Sequence, residues 1–335
     1  MRIIPGTEGL QQTPQWQTLL SQAITEPEEL LRELGLPPDL LPGCLEAGRA
    51  FRLRVPRGFV ARMRHGDPLD PLLRQVLPLG AELDQVAGFS RDPLGELEAM
   101  PVPGVLHKYQ GRVLLTSTGA CAVHCRYCFR RHYPYNDANP HREPLQTLNY
   151  LRRRTEISEV ILSGGDPLTL GDSKLKRLVE ALQAIPHLRR LRIHSRVPVV
   201  LPERVDSGLL AWLQATRLQV VLVIHSYHAN EIDAAVTAAM QRLRACGITL
   251  LNQSVLLRGV NDQAESLAAL SERLFAAGVL PYYLHQLDPV QGAAHFAVPD
   301  TEAKTLVNQL RALVPGYLCP TLVREEQGHA SKTPV

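Results

Sequence analysis

From about residue 112 onward, short runs of apolar, β-branched residues alternate with longer stretches whose apolar positions recur at helical spacing. The short runs are Arg112–Thr118, Glu159–Ser163, Leu188–Ser195, Val220–Ser226, Leu250–Leu257, Leu280–Asp288 and Tyr317–Arg324. The helical stretches are Leu145–Arg154, Ser173–Ala184, Pro202–Ala215, Asn230–Ala245, Asp262–Ala277 and Asp300–Leu313. Strand followed by helix, repeated, predicts βαβ units and a parallel sheet. Six or more such units curl into a full or partial barrel, and an open doubly wound sheet is the competing arrangement. No GxGxxG follows the first run, which disfavours a dinucleotide-binding half. Residues 1–105 differ. Thirteen of the 26 prolines fall there, between short amphipathic stretches such as Pro27–Gly35 and Pro71–Val76. Asp70-Pro71 and Asp92-Pro93 resemble helix starts. These features predict a small, helical, loop-rich N-terminal region (1–105) ahead of a barrel (106–335).

Composition narrows the class. Hydrophobic residues make up 45% and charged residues 21% of 335, as in an ordinary globular protein, which excludes a disordered, collagen-like or coiled-coil chain. No window approaches the ~18 apolar residues that span a bilayer. The start, MRIIPGTEGLQQTPQW, has no apolar h-region. A net charge of +3 is too weak to argue for nucleic acid. Six cysteines are too few for a disulfide scaffold. The expectation is a cytoplasmic protein with no membrane or nucleic-acid partner, whose clustered cysteines bind metal or do redox work.

Parallel α/β folds place chemistry at the C-terminal ends of strands. Polar clusters fall at those ends here: Cys121 to Cys128, Ser163 to Asp166, His194 to Arg196, His225 to His228, Asn252-Gln253 and His285 to Asp288. The sharpest is Cys121-Ala-Val-His-Cys125-Arg-Tyr-Cys128, three thiols in eight residues. Three thiolates leave one iron of a four-iron cluster open for a substrate or cofactor. The alternatives are a zinc site completed by His124 or His132, or inert buried thiols. Zinc sites usually carry paired CxxC elements, and one such pair is present.

CxxxCxxC with an aromatic before the last cysteine resembles the signature of the radical S-adenosylmethionine (SAM) superfamily. The resemblance implies a partial (β/α) barrel. It also implies a [4Fe–4S] cluster on Cys121, Cys125 and Cys128, with SAM on the open iron and Tyr127 near its adenine. Gly164, Gly165 and Asp166 resemble the glycine-rich element that meets the methionyl amino group. The blocks PVPGVLHKYQGRVLLTSTGACAVHCRYCFRRH, SGGDPLTL, SRVPVVLPER, NQSVLLRGVND and SKTPV are similar, within the superfamily, to the lysine 2,3-aminomutase family.

That family also carries pyridoxal 5′-phosphate (PLP). The resemblance implies that a 5′-deoxyadenosyl radical takes a hydrogen from the β-carbon of a PLP-held amino acid, whose nitrogen then migrates. It implies that Lys332 is the PLP lysine, that Lys108, Tyr109 and Arg112 face the phosphate, and that His285 lies near the ring. Arg130, with Arg131 as a weaker candidate, would meet the substrate carboxylate. Asp288 and Glu325 would meet the far ammonium of L-lysine. His194, Arg196, His225, His228 and Gln253 would line the pocket. Lys108, Glu325 and His285 stand where arginine, aspartate and tyrosine are usual. The chain ends at Val335 and has Gln263 where long members place a cysteine, so the resemblance implies no structural zinc and no tail-mediated assembly. The short form resembles the branch that supplies (R)-β-lysine to a ligase acting on elongation factor P. Implied partners are an electron donor such as flavodoxin or ferredoxin and a second copy of the chain. The rivals are a free-lysine enzyme of catabolism or biosynthesis, an aminomutase for glutamate or arginine, and a zinc-binding regulatory protein.

Overall fold

The computed structural model describes residues 14–135 and 144–335. Four short helices open it: α1 (Gln15–Ser21), α2 (Pro27–Glu33), α3 (Leu41–Ala50) and α4 (Arg57–Val60). α2 starts on Pro27, whose fixed φ suits a first helical position, and carries Glu28 and Glu29 in its first turn. A long irregular strap, residues 84–104, leads into the sheet.

Among the described residues the sheet has nine strands: β1 (Val105–Tyr109), β2 (Arg112–Thr118), β3 (Glu159–Gly164), β4 (Arg190–Ser195), β5 (Gln219–Ile224), β6 (Thr249–Val255), β7 (Leu280–His285), β8 (Thr321–Arg324) and β9 (Thr333–Pro334). They lie side by side in chain order. β2 to β8 are parallel, and β1 and β9 are antiparallel additions at the two edges. The ladder does not close, so the architecture is a partial barrel. β3 reads as a nearly unbroken buried run, as a strand covered on both faces should. The connections carry α5 (Pro144–Arg153), α6 (Asp172–Gln183), α7 (Val197–Val200), α8 (Ser207–Ala215), α9 (Ala234–Ala245), α10 (Ala264–Ala276) and α11 (Asp300–Leu313). Among the described residues no helix is long and apolar enough to cross a membrane.

All seven strands expected from the pattern are present. Two predicted helices begin later than expected, because their first residues form capping turns. Pro202–Arg204 is a 3₁₀ turn, after which Asp206 accepts from Leu209 N and starts α8. Ala229–Glu231 is another, after which Asp233 accepts from Val236 N and starts α9. Asp70 accepts from Leu72 N and Leu73 N, yet starts only the 3₁₀ turn Leu73–Gln75. Asp92 accepts from Glu96 N without any helix following. The sequence pattern missed β1 and β9. VLHKY lacks strict alternation, and two residues give no pattern.

One apolar cluster joins Trp16, Leu30, Phe59 and Leu72 of the N-terminal region to Leu115, Leu162, Ile193 and Leu222 of the strands. A second packs Leu306 and Leu310 of α11 against Leu284 and Leu322, with Val335 resting on it. That contact and the Val335 N to Leu322 O hydrogen bond (3.3 Å) hold the last residues on the sheet.

Candidate active site

The C-terminal strand ends surround a cavity of about 390 Å³. Cys121, Cys125 and Cys128 line one side, on the loop after β2. The loop is held in place by the Gly164-Gly165 pair at the end of β3. Gly165 N donates to Thr118 O (2.6 Å) and Asp166 N to Ala120 O (2.8 Å). A Cβ on Gly165 would lie 2.4 Å from Ala120 O, and one on Gly164 2.8 Å from Thr118 O. Gly164 also has φ +114°, a region that favours glycine. The two glycines therefore let the cysteine loop approach backbone to backbone. Burial raises the Cys121 thiol well above its usual range and Cys128 to about 11, so these two favour the thiol form until a metal binds.

The zinc alternative loses its extra ligands. Neither His124, whose ring stacks on Phe51, nor His132, whose Nε2 pairs with Gln291 O (3.2 Å), lines the cavity with the three thiols. Among the described residues no three His, Cys, Asp or Glu side chains are arranged to hold a single metal ion. All three thiols line the one cavity, and a four-iron cluster would take one of them on each of three irons. Arg196 Nη1 donates to Cys125 Sγ (2.9 Å) and to Tyr127 Oη (2.9 Å).

Asp166 lines the cavity, but its carboxylate faces the fold. Oδ1 accepts from Ser195 Oγ (2.7 Å) and Leu168 N (3.1 Å); Oδ2 accepts from Arg196 N (2.7 Å) and Val197 N (3.1 Å). Both oxygens tie the β3 and β4 ends together. Tyr127 is buried against Tyr227 and Phe296, ring centroids 4.8 and 5.9 Å away.

Lys332 also lines the cavity, immediately before β9, with its side chain 18% exposed. It is not a solvated tail lysine. Its Nζ lies 3.2 Å from Glu325 Oε2, and Lys108 Nζ on β1 lies 2.8 Å from Glu325 Oε1. Burial opposes ionisation of Glu325, but Lys332 and Lys108 outweigh it and hold the carboxyl at about 2. The two sheet edges thus meet through one carboxylate. Arg112 stands over the Tyr109 ring at 4.4 Å and has no carboxylate partner among the described residues. Asp288 lies in the loop after β7, three residues beyond the strand in which the pattern placed it. It too has no ion pair among the described residues. Burial, then the nearby Glu325, raises its carboxyl to about 7.

Two arginines differ from expectation. Arg130 grips Glu96 through Nε (2.6 Å) and Nη2 (2.8 Å), so its bidentate edge is already committed to protein; Nη1 donates to Ser163 Oγ (3.1 Å). Arg131 does not line the cavity, because Glu82 and the Arg126 and Gly292 carbonyls hold it. His228 is also outside; its Nδ1 accepts from Asn230 N. Arg196, Gln253, His194, His225 and His285 do line the cavity. The last three are histidines whose Nε2 atoms are buried and without a hydrogen-bond partner among the described residues. Burial lowers all three, His225 to about 4, and the Lys332 cation adds to it in each case, so the rings are neutral near pH 7.

Sequence reasoning missed Glu96, Gln75, Glu231 and Glu82. Gln75 accepts from Arg196, and Glu231 Oε2 lies 3.3 Å from Arg196 Nη2. Three of these four precede the barrel, in segments with no motif. The only available signal was acidic or amide residues inside otherwise apolar turns.

Residues 115–270 match the sequence model of the Radical SAM superfamily. The L-lysine 2,3-aminomutase of Escherichia coli (strain K12) is 52% identical over 323 residues, covering 96% of this chain and 94% of that one. The protein of the same name from Haemophilus influenzae is 48% identical over 334 residues, covering 99% of each. That of Clostridium subterminale is 36% identical over 322 residues, covering 96% of this chain and 77% of its own length. With the cysteine loop and its glycine support in place, this similarity is decisive: the chain belongs to the L-lysine 2,3-aminomutase family, within the radical SAM superfamily.

Proposed function

We propose that the protein converts L-lysine to β-lysine, using a [4Fe–4S] cluster and SAM, which its superfamily implies, together with PLP. One observation carries the reading: a single cavity brings together three cluster-spaced thiols, a sheltered lysine amine and an unpaired buried acid. The unpartnered histidine nitrogens and the unpaired Arg112 guanidinium support an anionic, hydrogen-bonding occupant.

When bound, the cluster and SAM supply a hydrogen-abstracting radical, and PLP supplies an electron sink for the migrating amino group. Cys121, Cys125 and Cys128 would hold three irons, and Tyr127, Gly164 and Gly165 would flank SAM. Lys332 would hold PLP covalently through its amine. Arg112 and Lys108 would place cations at the phosphate beside Tyr109, Lys108 at the expense of its contact with Glu325. His285 would lie against the ring. Arg130 would reach the substrate carboxylate with Nη1, while Glu96 fixes the rest of its guanidinium. Asp288, aided by Glu325, would receive the substrate's ε-ammonium. A carboxyl near 7 ionises readily when a cation arrives, and the neutral histidines add no repulsion. This acidic end disfavours glutamate.

The test is an anaerobic reaction of reconstituted protein with L-lysine, SAM, PLP and a strong reductant. β-Lysine by mass spectrometry is the expected product. 5′-Deoxyadenosine without β-lysine would retain the radical SAM half and remove the substrate assignment. We extend the reading to (R)-β-lysine supply for a ligase modifying elongation factor P in the cytoplasm, with flavodoxin or ferredoxin as electron donor and a homo-oligomeric assembly. Elongation factor P from cells lacking this protein would then lose the mass of one β-lysyl group.

A further inference from the structure

Behind the cysteine loop lies a second set of charges that does not line the cavity. Glu82, from the 3₁₀ turn Gly80–Leu83 of the N-terminal region, accepts from Arg126 Nε (2.7 Å) and Nη2 (2.5 Å) and from Arg131 Nη2 (2.7 Å). Arg126 sits between Cys125 and Cys128, and Arg131 three residues after Cys128. The Glu82, Arg126 and Arg131 side chains are 1%, 0% and 2% exposed. Both guanidiniums also lie over the Phe51 ring, at 4.8 and 4.7 Å. One carboxylate therefore balances two cations next to the cluster ligands, with almost no water to screen them.

We propose that Glu82 sets the charge at the cluster, and thereby its reduction potential. The inference rests on the cluster reading of the three cysteines. Glu82 touches neither cavity nor thiols, so it is a positioning residue that acts through Arg126 and Arg131. Reduction adds one electron from an external donor and takes up no proton, so the cluster becomes more negative by one charge. Uncompensated cations nearby favour that state. The loop has its own backbone anchors, Arg126 N to Gln75 O (2.9 Å), His124 N to Arg54 O (2.9 Å) and Cys128 N to Cys125 O (3.0 Å). The charge of Glu82 can therefore be removed without undoing the loop.

The experiment is a redox titration of the reconstituted cluster, followed by electron paramagnetic resonance without SAM, with iron and sulfide content measured in parallel. Glu82→Gln is expected to keep the iron and sulfide and to move the midpoint to a less negative potential. Arg131→Gln, which removes one of the two cations, is expected to move it the other way, and Glu82→Asp to stay near the parent. If Glu82→Gln does not fold, Arg131→Gln decides: a midpoint equal to the parent's overturns the proposal. Shifts of the same sign in both Gln variants overturn it as well. A parent protein that takes up no four-iron cluster removes the cluster reading and the inference with it. A loaded parent with unmoved variants removes the inference alone.

Discussion

At the scale of single residues, Asp288 carries the clearest pH signature. Its carboxyl, near 7 in the folded chain, stands above the roughly 4 of an unfolded aspartate. The folded state thus keeps the proton longer, and ionising Asp288 costs stability as pH rises from about 4 to about 7. Asp288→Asn in the cofactor-free protein should gain on the order of 1–2 kcal/mol more at pH 8 than at pH 5, since cavity water softens the full effect; denaturant unfolding at both pH values checks this. The same variant should raise KM for lysine far more than it alters iron content. Lys332→Ala should leave iron and sulfide in place and abolish the visible absorbance of bound PLP. Retained absorbance would remove Lys332 from its assigned role.

At the scale of elements, the glycine pair shows how a strand end positions a cofactor loop. Gly165→Ala forces a Cβ against the Ala120 carbonyl, so the loop start must shift by several tenths of an ångström or more. The expected result is a folded protein, by far-ultraviolet circular dichroism, with a large loss of reconstituted iron and sulfide. Much at this level was legible in the sequence. Apolar, β-branched runs at regular spacing located seven strands, some buried along nearly their whole length like β3 and others alternating like β4 and β6. The cysteines stood out because cluster ligation depends on residue type and spacing, whereas Lys332 was picked out only by the resemblance of its SKTPV segment. What stayed hidden depends on tertiary approach. The partnership of Arg130 with Glu96 joins residues 34 apart across an irregular strap, and no local pattern encodes it. Asp166 was visible as part of a turn, yet which groups its two oxygens would meet was decided by β4.

At the scale of the whole molecule, the N-terminal region and the barrel share one core, and the strap carries Glu96 into the site. Glu96 pairs Arg130 and lies 3.4 Å from Lys108 Nζ, so one carboxylate joins strap, cysteine loop and first strand. Glu96→Gln leaves a buried guanidinium without its counter-ion and should cost about 3–5 kcal/mol, measured by denaturant unfolding at pH 7. A loss below about 1 kcal/mol would mean that water or another anion replaces it.

The strands also lie in the sheet in the order in which they are made. Each new strand therefore pairs with the one synthesised just before it, and none must insert between two already joined. During synthesis the sheet grows from a single advancing edge, with only the intervening connection to close at each step. The pocket for iron and sulfur takes shape once β3 has joined β2, while the segment bearing Lys332 arrives last. The Lys108–Glu325–Lys332 bridge, which ties the first strand to the last segment of the chain, can therefore form only once the sheet is complete.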